Sequence, residues 1–486
     1  MSPIALVIGD VMLDRRTEGE MCSISREAPA PVIRLTSQID SLGGAGNVAR
    51  NIKALGHAVM LMGRVGNDAA GDTVIRLASE AGIDTCLPKR DDHPTIIKHR
   101  ITCGGQIICR IDTERVDHVQ FTDLMAGLQS IPPELAVTIK VIVIADYAKG
   151  TLGQDLVRSI FGFAGEFSIP VFVDARPETT GMYVGASLLK PNLQEALSIL
   201  DTSVHPGLIH GDPVQQCAVA CQLLHARRLA GVVLVTNGRH GCCYTDPDDN
   251  FAVHTYDAVG QHDIDSVKDI CGAGDTTMAA LAAASLEGKS FSAAVNFAMT
   301  AAGYTVQFYG VHAAERDAVD EFAYQQGNWA NKLMSNEQLL EFVARRRRMR
   351  PSDQIVFTNG CFDGFHAGHL ELLRFAKQQG QVPIVAYNDD QSLVALKGPD
   401  RPHVPESFRG SHLALQDVVD AVVRFNGDAE YLVRQIKPDI LVKGADARHA
   451  PIPGADYVAQ HGGQLKLCPI EQFAINLDRA RRTKPT

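Results

Sequence analysis

The sequence of 486 residues lacks long apolar runs, an excess of positive charge and a recognisable leader segment. No hydrophobic stretch approaches the ~20 residues that span a bilayer as a helix, so we expect no membrane contact. The 46 Lys and Arg residues are outnumbered by 56 Asp and Glu residues, for a formal net charge of −10, which disfavours a nucleic-acid partner. A strand-like segment begins at once, without a basic region or cleavage site, so we expect a cytoplasmic protein.

The sequence also lacks cysteines with the spacing typical of disulfide or metal motifs. Its eleven cysteines, an odd number, include no Cys-x-x-Cys pair and no His/Cys cluster with the spacing of a zinc site. Cys242 and Cys243 are adjacent, which disfavours an unstrained disulfide between them. This usage indicates reduced thiols in a cytosol. The composition, 45% hydrophobic and 21% charged, is that of a globular chain with roughly two to four domains.

A repeated pattern of apolar strand, polar tip and helix indicates the fold class. Strand-like runs are predicted at Ile4–Ile8, Val141–Ile144, Val171–Val173, Ser187–Lys190 and Val232–Val235. Continuous apolar runs of this kind are typical of parallel strands covered on both faces, so we predict an α/β fold. The strands end near Asp10, Asp146, Asp174 and Asn192. Because the carboxyl ends of parallel strands meet at one edge, we expect a ligand site there.

The segment Ile270–Thr276 carries a chemical signal, because an Ala-rich helical run follows it directly. Gly272, Ala273 and Gly274 are therefore predicted at a helix N-terminus, where free backbone N–H groups bind phosphate. Asp275 falls in the first helical turn, where the dipole favours its ionised form. We call the turn formed by Gly272, Ala273 and Gly274 the anion cradle. A carboxylate beside it suits phosphoryl transfer, with the carboxylate as base. A capped core helix with an acidic first turn is the alternative.

The segment Asn192–Glu195 follows Pro191 and opens another predicted helix. Glu195 suits a contact to Mg²⁺ on nucleotide phosphates, through water. The alternative is a capping box, in which Asn192 caps the helix and Glu195 reaches back. The two explanations stay open at this point.

Three further segments are predicted to face a sugar. Asp14, beyond the first strand, suits hydrogen bonds to hydroxyls, although a turn former is the alternative. Gly43 and Gly44 precede a helical run that contains Asn47, which suits a polyol or, equally, a tight turn. The β-like stretch 95–112 brings Lys98, Arg100 and Arg110, which would face an anionic group or be solvated. This stretch is also a possible lid or dimer contact.

Taken in order, the Gly-Asp and Leu-Asp pairs near the start, GGxxN, NxxE and DxxGAGD resemble the motifs of ribokinase-like (PfkB-type) sugar kinases over residues 1–325. The runs at Ser23–Val32, Pro94–Ile96 and Asp146–Gly150 are similar to the heptose 7-phosphate kinase branch. The resemblance implies Asp275 as the base. It also implies contacts to ATP and magnesium at Asn192, Leu193, Gln194, Glu195, Gly272, Ala273 and Gly274. The sugar site that it implies contains Asp14, Gly43, Gly44 and Asn47, and we add Lys98, Arg110 and Asp146 to that site.

A polar, helical stretch divides the chain. It contains the single Trp329 and ends in the basic run Arg345–Arg348. The run is either an anion patch or, more simply, the solvated end of a helix. We place a kinase domain at 1–328, a helical linker at 329–352 and a second domain at 353–486.

The second domain opens with the strand Ile355–Thr358, then Asn359–Asp363, then His366-Ala-Gly-His369 at a helix start. Two histidines three residues apart point the same way and can donate to phosphate oxygens as pyrophosphate leaves. The order of these motifs, with later runs at Val385–Asp390 and Leu441–Asp446, resembles cytidylyltransferase-like nucleotidyltransferases over about residues 353–470. The resemblance implies a smaller Rossmann-like HxGH domain with catalytic His366 and His369. Its implied nucleotide contacts are Asn359, Gly360, Phe362, Asp363, Lys397 and Lys443.

Together the halves resemble the bifunctional heptose 7-phosphate kinase / heptose 1-phosphate adenylyltransferase family. That resemblance implies ATP and Mg²⁺, heptose phosphates as substrates, a homodimer through the kinase domain and a product for lipopolysaccharide core assembly. The sequence departs from the family at Gly104-Gly105, at Val394-Ala395 and at Glu471–Leu477, where a Ser/Thr-rich turn is expected. The alternatives are a kinase for another sugar phosphate, a transferase that uses another base such as CTP, and a non-catalytic nucleotide sensor.

Overall fold

The chain is described by a computed structural model, which divides it into two compact units, Met1–Phe322 and Ala323–Thr486. Trp329, Asp446 and the stretch Glu471–Leu477 lie outside the described residues. Among the described residues, every helix is too short or too polar to cross a lipid bilayer. All eleven cysteines are described, and they are free thiols. The described residues are 3–90, 93–116, 122–201, 212–256, 267–325, 332–445 and 451–469.

The first unit contains the strands of three sheets and the helices that cover them. Its strands are β1 Ile4–Gly9, β2 Val11–Ile24, β3 Pro31–Gly44, β4 Ala58–Met62, β5 Val65–Gly66, β6 Asp84–Cys86, β7 Lys89–Arg90, β8 Ile96–Cys103, β9 Gln106–Thr113, β10 Ile139–Asp146, β11 Val171–Ala175, β12 Ala186–Leu189, β13 Ala230–Thr236, β14 Cys242–Asp246 and β15 Ala252–Tyr256. Its α-helices are Ala45–Ala54, Ala69–Glu80, Thr122–Gln129, Pro133–Ala136, Gln154–Phe167, Leu193–Leu200, Pro213–Ala226, Ala273–Leu286, Phe291–Thr305 and Arg316–Gln325.

The main sheet has nine strands in the order β15-β14-β13-β12-β11-β10-β1-β4-β6. The pairs from β6 to β13 are parallel, and only β14 and β15 run antiparallel to their neighbours. Residues Val141, Val143 and Ile144 of β10 are fully buried, as expected for a strand with helices on both faces. The predicted parallel α/β sheet is therefore confirmed, with strand ends shifted by one or two residues.

A separate four-stranded sheet, in the order β3-β2-β8-β9, carries the predicted β-like stretch 95–112. The Gly104-Gly105 pair forms the turn between β8 and β9, and both glycines have positive φ. Several large apolar side chains of this sheet are exposed to solvent, which is unusual for the surface of a sheet. These are Met21, Ile24, Val32, Leu35, Ile39, Ile107 and Ile111.

The second unit is built on a six-stranded parallel sheet in the order β16-β19-β18-β17-β20-β21. Its strands are β16 Leu333–Met334, β17 Ile355–Gly360, β18 Val382–Asn388, β19 Ala421–Phe425, β20 Ile440–Gly444 and β21 Gln464–Cys468. Its helices are Asn336–Met349, Ala367–Gln379, Asp390–Lys397, Glu406–Ala414, Ala429–Ile436 and Ala455–Gln460. The predicted strand Ile355–Thr358 and the helix after it are confirmed.

The stretch predicted as a linker is largely part of the second unit. Strand β16 pairs with β19, and the helix Asn336–Met349 buries Leu339, Phe342 and Val343 in the core of that unit. In the basic run, Arg346 is buried and lies 3.7 Å from Asp353. The polar composition of this helix reflects its outer face, which the sequence alone does not separate from the inner one.

Candidate active sites

A cavity of about 1180 Å³ opens at the carboxyl edge of the main sheet. Its wall contains most of the residues that the sequence predicts for the kinase site. Leu193 packs into an apolar cluster instead, and Gln194 is exposed, so neither belongs to the wall. The predicted residues on the wall are Asp14, Gly43, Gly44, Lys98, Arg110, Asp146, Asn192, Glu195, Gly272, Ala273, Gly274 and Asp275.

Asp275 lies in the first turn of the helix Ala273–Leu286 and is 8% exposed. Asn47 donates from Nδ2 to its Oδ2 at 2.8 Å, and the Tyr147 hydroxyl donates to its Oδ1. Burial raises the pKa of Asp275 to about 6, although the hydrogen bonds from Tyr147 and Asn47 oppose the rise. Desolvation is the largest influence on this pKa, so the position in the first helical turn does not by itself determine the ionisation of Asp275. A carboxylate with a pKa near neutrality suits a general base.

The glycine stretch begins the helix as predicted, with Gly272 as its N-cap at φ 79°. A Cβ on Gly272 would lie 2.8 Å from Asn47 Nδ2 and 2.9 Å from Val311 Cγ1, so a larger residue has no room there. Asp269 fastens the loop by accepting from the N–H groups of Cys271 at 3.0 Å and Gly310 at 2.9 Å. The backbone of this turn can therefore face a phosphate closely.

Replacing Gly272 by Ala is expected to lower kinase activity by about 10²-fold, because the cradle must shift to make room for the methyl group. A non-glycine residue held in the left-handed backbone conformation of Gly272 also lowers the free energy of unfolding by about 1–2 kcal/mol. Kinase kcat and the melting temperature measure the two effects. Gly162→Ala is the matched control, because its methyl group meets no described atom within 4 Å. Equal activity of the two variants would contradict the cradle.

Lys190 is a candidate functional residue that sequence reasoning missed. It is 3% exposed, and its Nζ lies 2.9 Å from Asp174 Oδ2. A Cβ on Gly274 would lie 3.6 Å from the same Nζ, so the ammonium group borders the glycine cradle. A positive charge there would offset charge on a transferred phosphoryl group. The only sequence signal was a lysine at a strand end beside the predicted polar edge.

Asn192 and Glu195 form the capping box that was the alternative explanation. Asn192 Oδ1 accepts from the Glu195 N–H at 2.9 Å, and Glu195 Oε2 accepts from the Asn192 N–H at 2.9 Å. Glu195 Oε1 also pairs with Arg176 Nη1 at 2.5 Å. Both carboxylate oxygens are engaged, so a direct bond to Mg²⁺ fits poorly. A contact through a metal-bound water fits, because Mg²⁺ keeps several waters in nucleotide sites.

Asp14 and Asp146 both line the cavity but differ in their partners. Asp14 pairs with Arg100; burial raises the pKa of Asp14, and the Arg100 charge opposes this rise. Asp146 accepts from Tyr183 Oη at 2.6 Å and from the Ala148 N–H at 2.8 Å. Its oxygens therefore support the loop after β10, and its contact to a sugar stays a prediction.

The predicted anion contacts Lys98 and Arg110 reach the cavity wall with carboxylates beside them. Lys98 Nζ lies 2.8 Å from Asp112 Oδ2 and 2.5 Å from Glu114 Oε2. Arg110 Nε lies 3.1 Å from Asp112 Oδ1. An anionic substrate group would therefore compete with these ion pairs for the two cations. Lys98 faces Asp112 across the β8–β9 hairpin, a pairing that the sequence alone did not reveal.

In the second unit, His366 caps the helix Ala367–Gln379 and His369 lies in its first turn. Their rings are stacked with centroids 3.9 Å apart, so they point the same way, as predicted. Burial lowers the pKa of His369 to about 4, and the charges of His366 and Lys397 act in the same direction. His369 is therefore neutral at pH 7 and offers one N–H donor.

Three buried polar atoms, on β17 and on the helix that follows it, have no hydrogen-bond partner among the described residues. They are Thr358 Oγ1, Asn359 Oδ1 and His369 Nδ1. Buried polar atoms are rarely left unpaired in a folded protein, so these atoms are candidates for contacts to water or to a ligand. Lys443 borders them, donating from Nζ to the Asn359 carbonyl at 2.9 Å. Lys397 is exposed at the end of its helix.

Two predicted nucleotide contacts, Phe362 and Asp363, make structural contacts within the protein. Phe362 is 2% exposed and packs in an apolar cluster. Asp363 accepts from Arg401 Nη1 at 2.6 Å and from the N–H groups of His403 and Val404. Burial would raise the pKa of Asp363, but these hydrogen bonds hold it below its usual value. Asp363 therefore fixes the 401–404 loop, a role that depends on residues almost forty positions away.

Arg409 is a buried side chain of the second unit that donates several hydrogen bonds. Its guanidinium donates to the carbonyl oxygens of Val404 at 2.9 Å, Cys361 at 2.7 Å and Asn388 at 2.8 Å. It also reaches Asp390 Oδ1 at 2.6 Å. This single side chain therefore joins the loop after β17, which leads to His366, to the end of β18.

Comparison with known proteins matches each unit to a family. The model described as "pfkB family carbohydrate kinase" covers residues 5–318, and the model described as "Cytidylyltransferase-like" covers residues 357–456. The "Bifunctional protein HldE" of Ectopseudomonas mendocina (strain ymp) is 36% identical over 463 residues, which are 95% of this chain and 93% of that protein. The protein of that name from Pseudomonas fluorescens (strain Pf0-1) is 38% identical over the same shares.

Among solved structures, phosphofructokinase-2 from Escherichia coli in complex with fructose-6-phosphate aligns at 19% identity with a TM-score of 0.51. The alignment covers 67% of this chain and 99% of that chain, and it shows a ribokinase-like fold. The predicted order of a kinase domain before a nucleotidyltransferase-like domain is confirmed by the two family matches. By its identity and coverage, the chain belongs to the family of the bifunctional HldE proteins, enzymes that join a pfkB-family carbohydrate kinase to a cytidylyltransferase-like domain.

Proposed function

We propose that the first unit transfers the γ-phosphoryl group of ATP to the anomeric hydroxyl of D-glycero-β-D-manno-heptose 7-phosphate. The observation that carries this proposal is the buried carboxylate of Asp275 beside the cradle begun by Gly272. In the step, Asp275 takes the hydroxyl proton, the sugar oxygen bonds to phosphorus, and the bond from phosphorus to the ADP oxygen breaks. The cradle N–H groups and Lys190 would offset charge on the moving phosphoryl group.

The second unit is proposed to transfer AMP from ATP to heptose 1-phosphate, releasing pyrophosphate. The unpartnered atoms beside the histidine pair support a bound nucleotide there. His366 and His369 would donate hydrogen bonds to the triphosphate as charge develops on the leaving pyrophosphate. The kinase product carries two phosphates and this acceptor carries one, so a separate phosphatase must act between the two steps.

Magnesium is proposed as the metal of both reactions. When bound, it would neutralise negative charge on the phosphate groups of ATP. In the first unit Glu195 would contact it through water, which agrees with the engagement of both Glu195 oxygens by Arg176 and Asn192. The product would serve lipopolysaccharide core assembly, and we place the enzyme in the cytoplasm, where ATP is available.

The identity of the substrates is tested with the purified full chain and two coupled assays. The first follows ADP from ATP and heptose 7-phosphate, and the second follows pyrophosphate from ATP or CTP and heptose 1-phosphate. We expect both signals with ATP, and little or none with CTP or with fructose 6-phosphate as kinase acceptor. A preference for another sugar phosphate or for CTP would replace this assignment. ATP binding without pyrophosphate release would favour a nucleotide sensor.

We also propose a homodimer through the four-stranded sheet of the first unit, because that sheet exposes a set of apolar side chains. Leu35→Glu, at a side chain 63% exposed, is expected to convert dimers to monomers by placing a charge in the interface. Light scattering after size exclusion gives the mass. Val219→Glu, at an exposed helix position, is the control that should stay dimeric. A monomeric wild type would refute the dimer.

A further inference from the structure

The Asp275 carboxylate is held from both sides by protein donors. Tyr147 Oη donates to Oδ1, and Asn47 Nδ2 donates to Oδ2 at 2.8 Å. Each oxygen keeps a further lone pair, so the carboxylate can still accept the proton of a sugar hydroxyl. Its orientation, however, is fixed by these two bonds. Tyr147 also lines the cavity.

The loop that carries Tyr147 is fastened by a buried carboxylate that takes no part in the cavity wall. Asp10 is fully buried and accepts from the N–H groups of Tyr147 at 2.8 Å, Lys149 at 3.0 Å and Thr151 at 3.2 Å. Ala148 has φ 55°, a left-handed conformation that a non-glycine residue adopts only at a cost. A loop held in this way against its own backbone preference indicates that the position of Tyr147 matters.

Tyr147 also contacts Arg176, which connects it to the part of the cavity where ATP is predicted to bind. The Arg176 guanidinium lies over its ring, 5.4 Å from the centroid. Arg176 in turn pairs with Glu195, which lies at the helix start predicted to contact ATP. The tyrosine ring therefore lies between the base and the nucleotide-side ion pair, and its hydroxyl is aimed at the base.

We propose that Tyr147 is a positioning residue of the kinase reaction, which aims the Asp275 carboxylate at the sugar hydroxyl and keeps it in its charged form. Asp10 acts one step further away, by fixing the Tyr147 loop. This inference rests on the proposed role of Asp275 as base. The phenol keeps its own proton throughout, while the sugar proton passes to Asp275 as the oxygen–phosphorus bond forms.

The physical reason is the balance between burial and hydrogen bonding at Asp275. Burial raises the pKa of Asp275 to about 6, and the Tyr147 hydrogen bond is the largest opposing influence. Without the phenol, the neutral carboxyl is favoured further, and less base is charged near neutral pH. The other titratable or charged groups that face Asp275 are Asp174, Lys190, Arg50 and Cys271, and a change at Tyr147 leaves all four in place.

The test is the pH profile of kinase kcat/KM for Tyr147→Phe. The wild type should lose activity as the pH falls through about 6, because Asp275 becomes protonated. The variant should lose it at a higher pH, by roughly one unit, the size expected for a hydrogen bond to a charged group. Tyr183→Phe is the matched control: it removes a buried phenol from Asp146 without touching Asp275, and its acid limb should match the wild type.

A second measurement does not depend on turnover. Difference infrared spectroscopy follows the carbonyl band of the protonated Asp275 carboxyl, with Asp275→Asn as the subtraction. That band should appear at higher pH in Tyr147→Phe than in the wild type. An unshifted band and acid limb in Tyr147→Phe, with Asp275→Asn inactive, would overturn the role of Tyr147 alone. Full activity of Asp275→Asn would overturn the assignment of the base as well.

Discussion

Replacing Asp275 by Asn is expected to lower the kinase kcat by about 10²–10⁴-fold, the usual contribution of a positioned general base. The amide cannot take the proton of the sugar hydroxyl, but it is of nearly the same size, so the cradle keeps its shape. KM for ATP should change little, because Asp275 does not hold the nucleotide. Steady-state ADP release with heptose 7-phosphate measures both constants.

The same preparation contains its own control. Pyrophosphate release by the second unit of Asp275→Asn should equal that of the wild type, which shows that the chain is folded. Asp155→Asn, at an exposed carboxylate paired with Arg158, should leave both activities unchanged. A kinase loss of less than tenfold in Asp275→Asn would assign the base to another group.

Replacing His366 by Ala should lower pyrophosphate release from ATP and heptose 1-phosphate by about 10²–10³-fold, the scale of a lost donor to a developing charge. His366 is exposed and makes no side-chain cap hydrogen bond to its helix, so the change should not unfold the unit. The kinase activity of the first unit should stay at the wild-type rate. Release of pyrophosphate in single-turnover conditions separates chemistry from product release.

The control for this change is another exposed histidine of the second unit. His461 stacks on Tyr457 at 4.0 Å and lies outside the histidine pair. His461→Ala should keep the wild-type rate of pyrophosphate release. Equal rates for His366→Ala and the wild type would place the catalytic donors elsewhere and favour a unit that only binds nucleotide.

Local sequence patterns determined the parts of each site that are built from contiguous residues. The Gly272–Asp275 turn and the His366–His369 pair are each a few residues long, and an adjoining apolar run sets their helix starts. The same holds for the parallel strands, because burial on both faces leaves a continuous apolar run such as Val141–Ile144. These features depend on backbone periodicity, which a single sequence carries.

The sequence was less informative about side-chain partners. Glu195 forms the capping box that was one of its two explanations, Asp363 anchors a loop and Phe362 packs in the core, and the local motifs did not reveal these partners. Lys190 lies beside the cradle without any local motif to mark it. A polar residue near a strand end can face a ligand or the protein, and only its neighbours in space decide between the two.

By itself, then, the sequence determined the two α/β units, the anion cradle at a helix start and the histidine pair, because these follow from short-range backbone geometry. Only the tertiary structure decided how the catalytic groups are tuned. Asn47 and Asp275 are 228 positions apart, and Tyr147 and Asp275 are 128 apart, yet each pair is joined by a hydrogen bond. Burial and these distant donors together set the pKa of Asp275, because desolvation and hydrogen bonding depend on what the fold packs around a group.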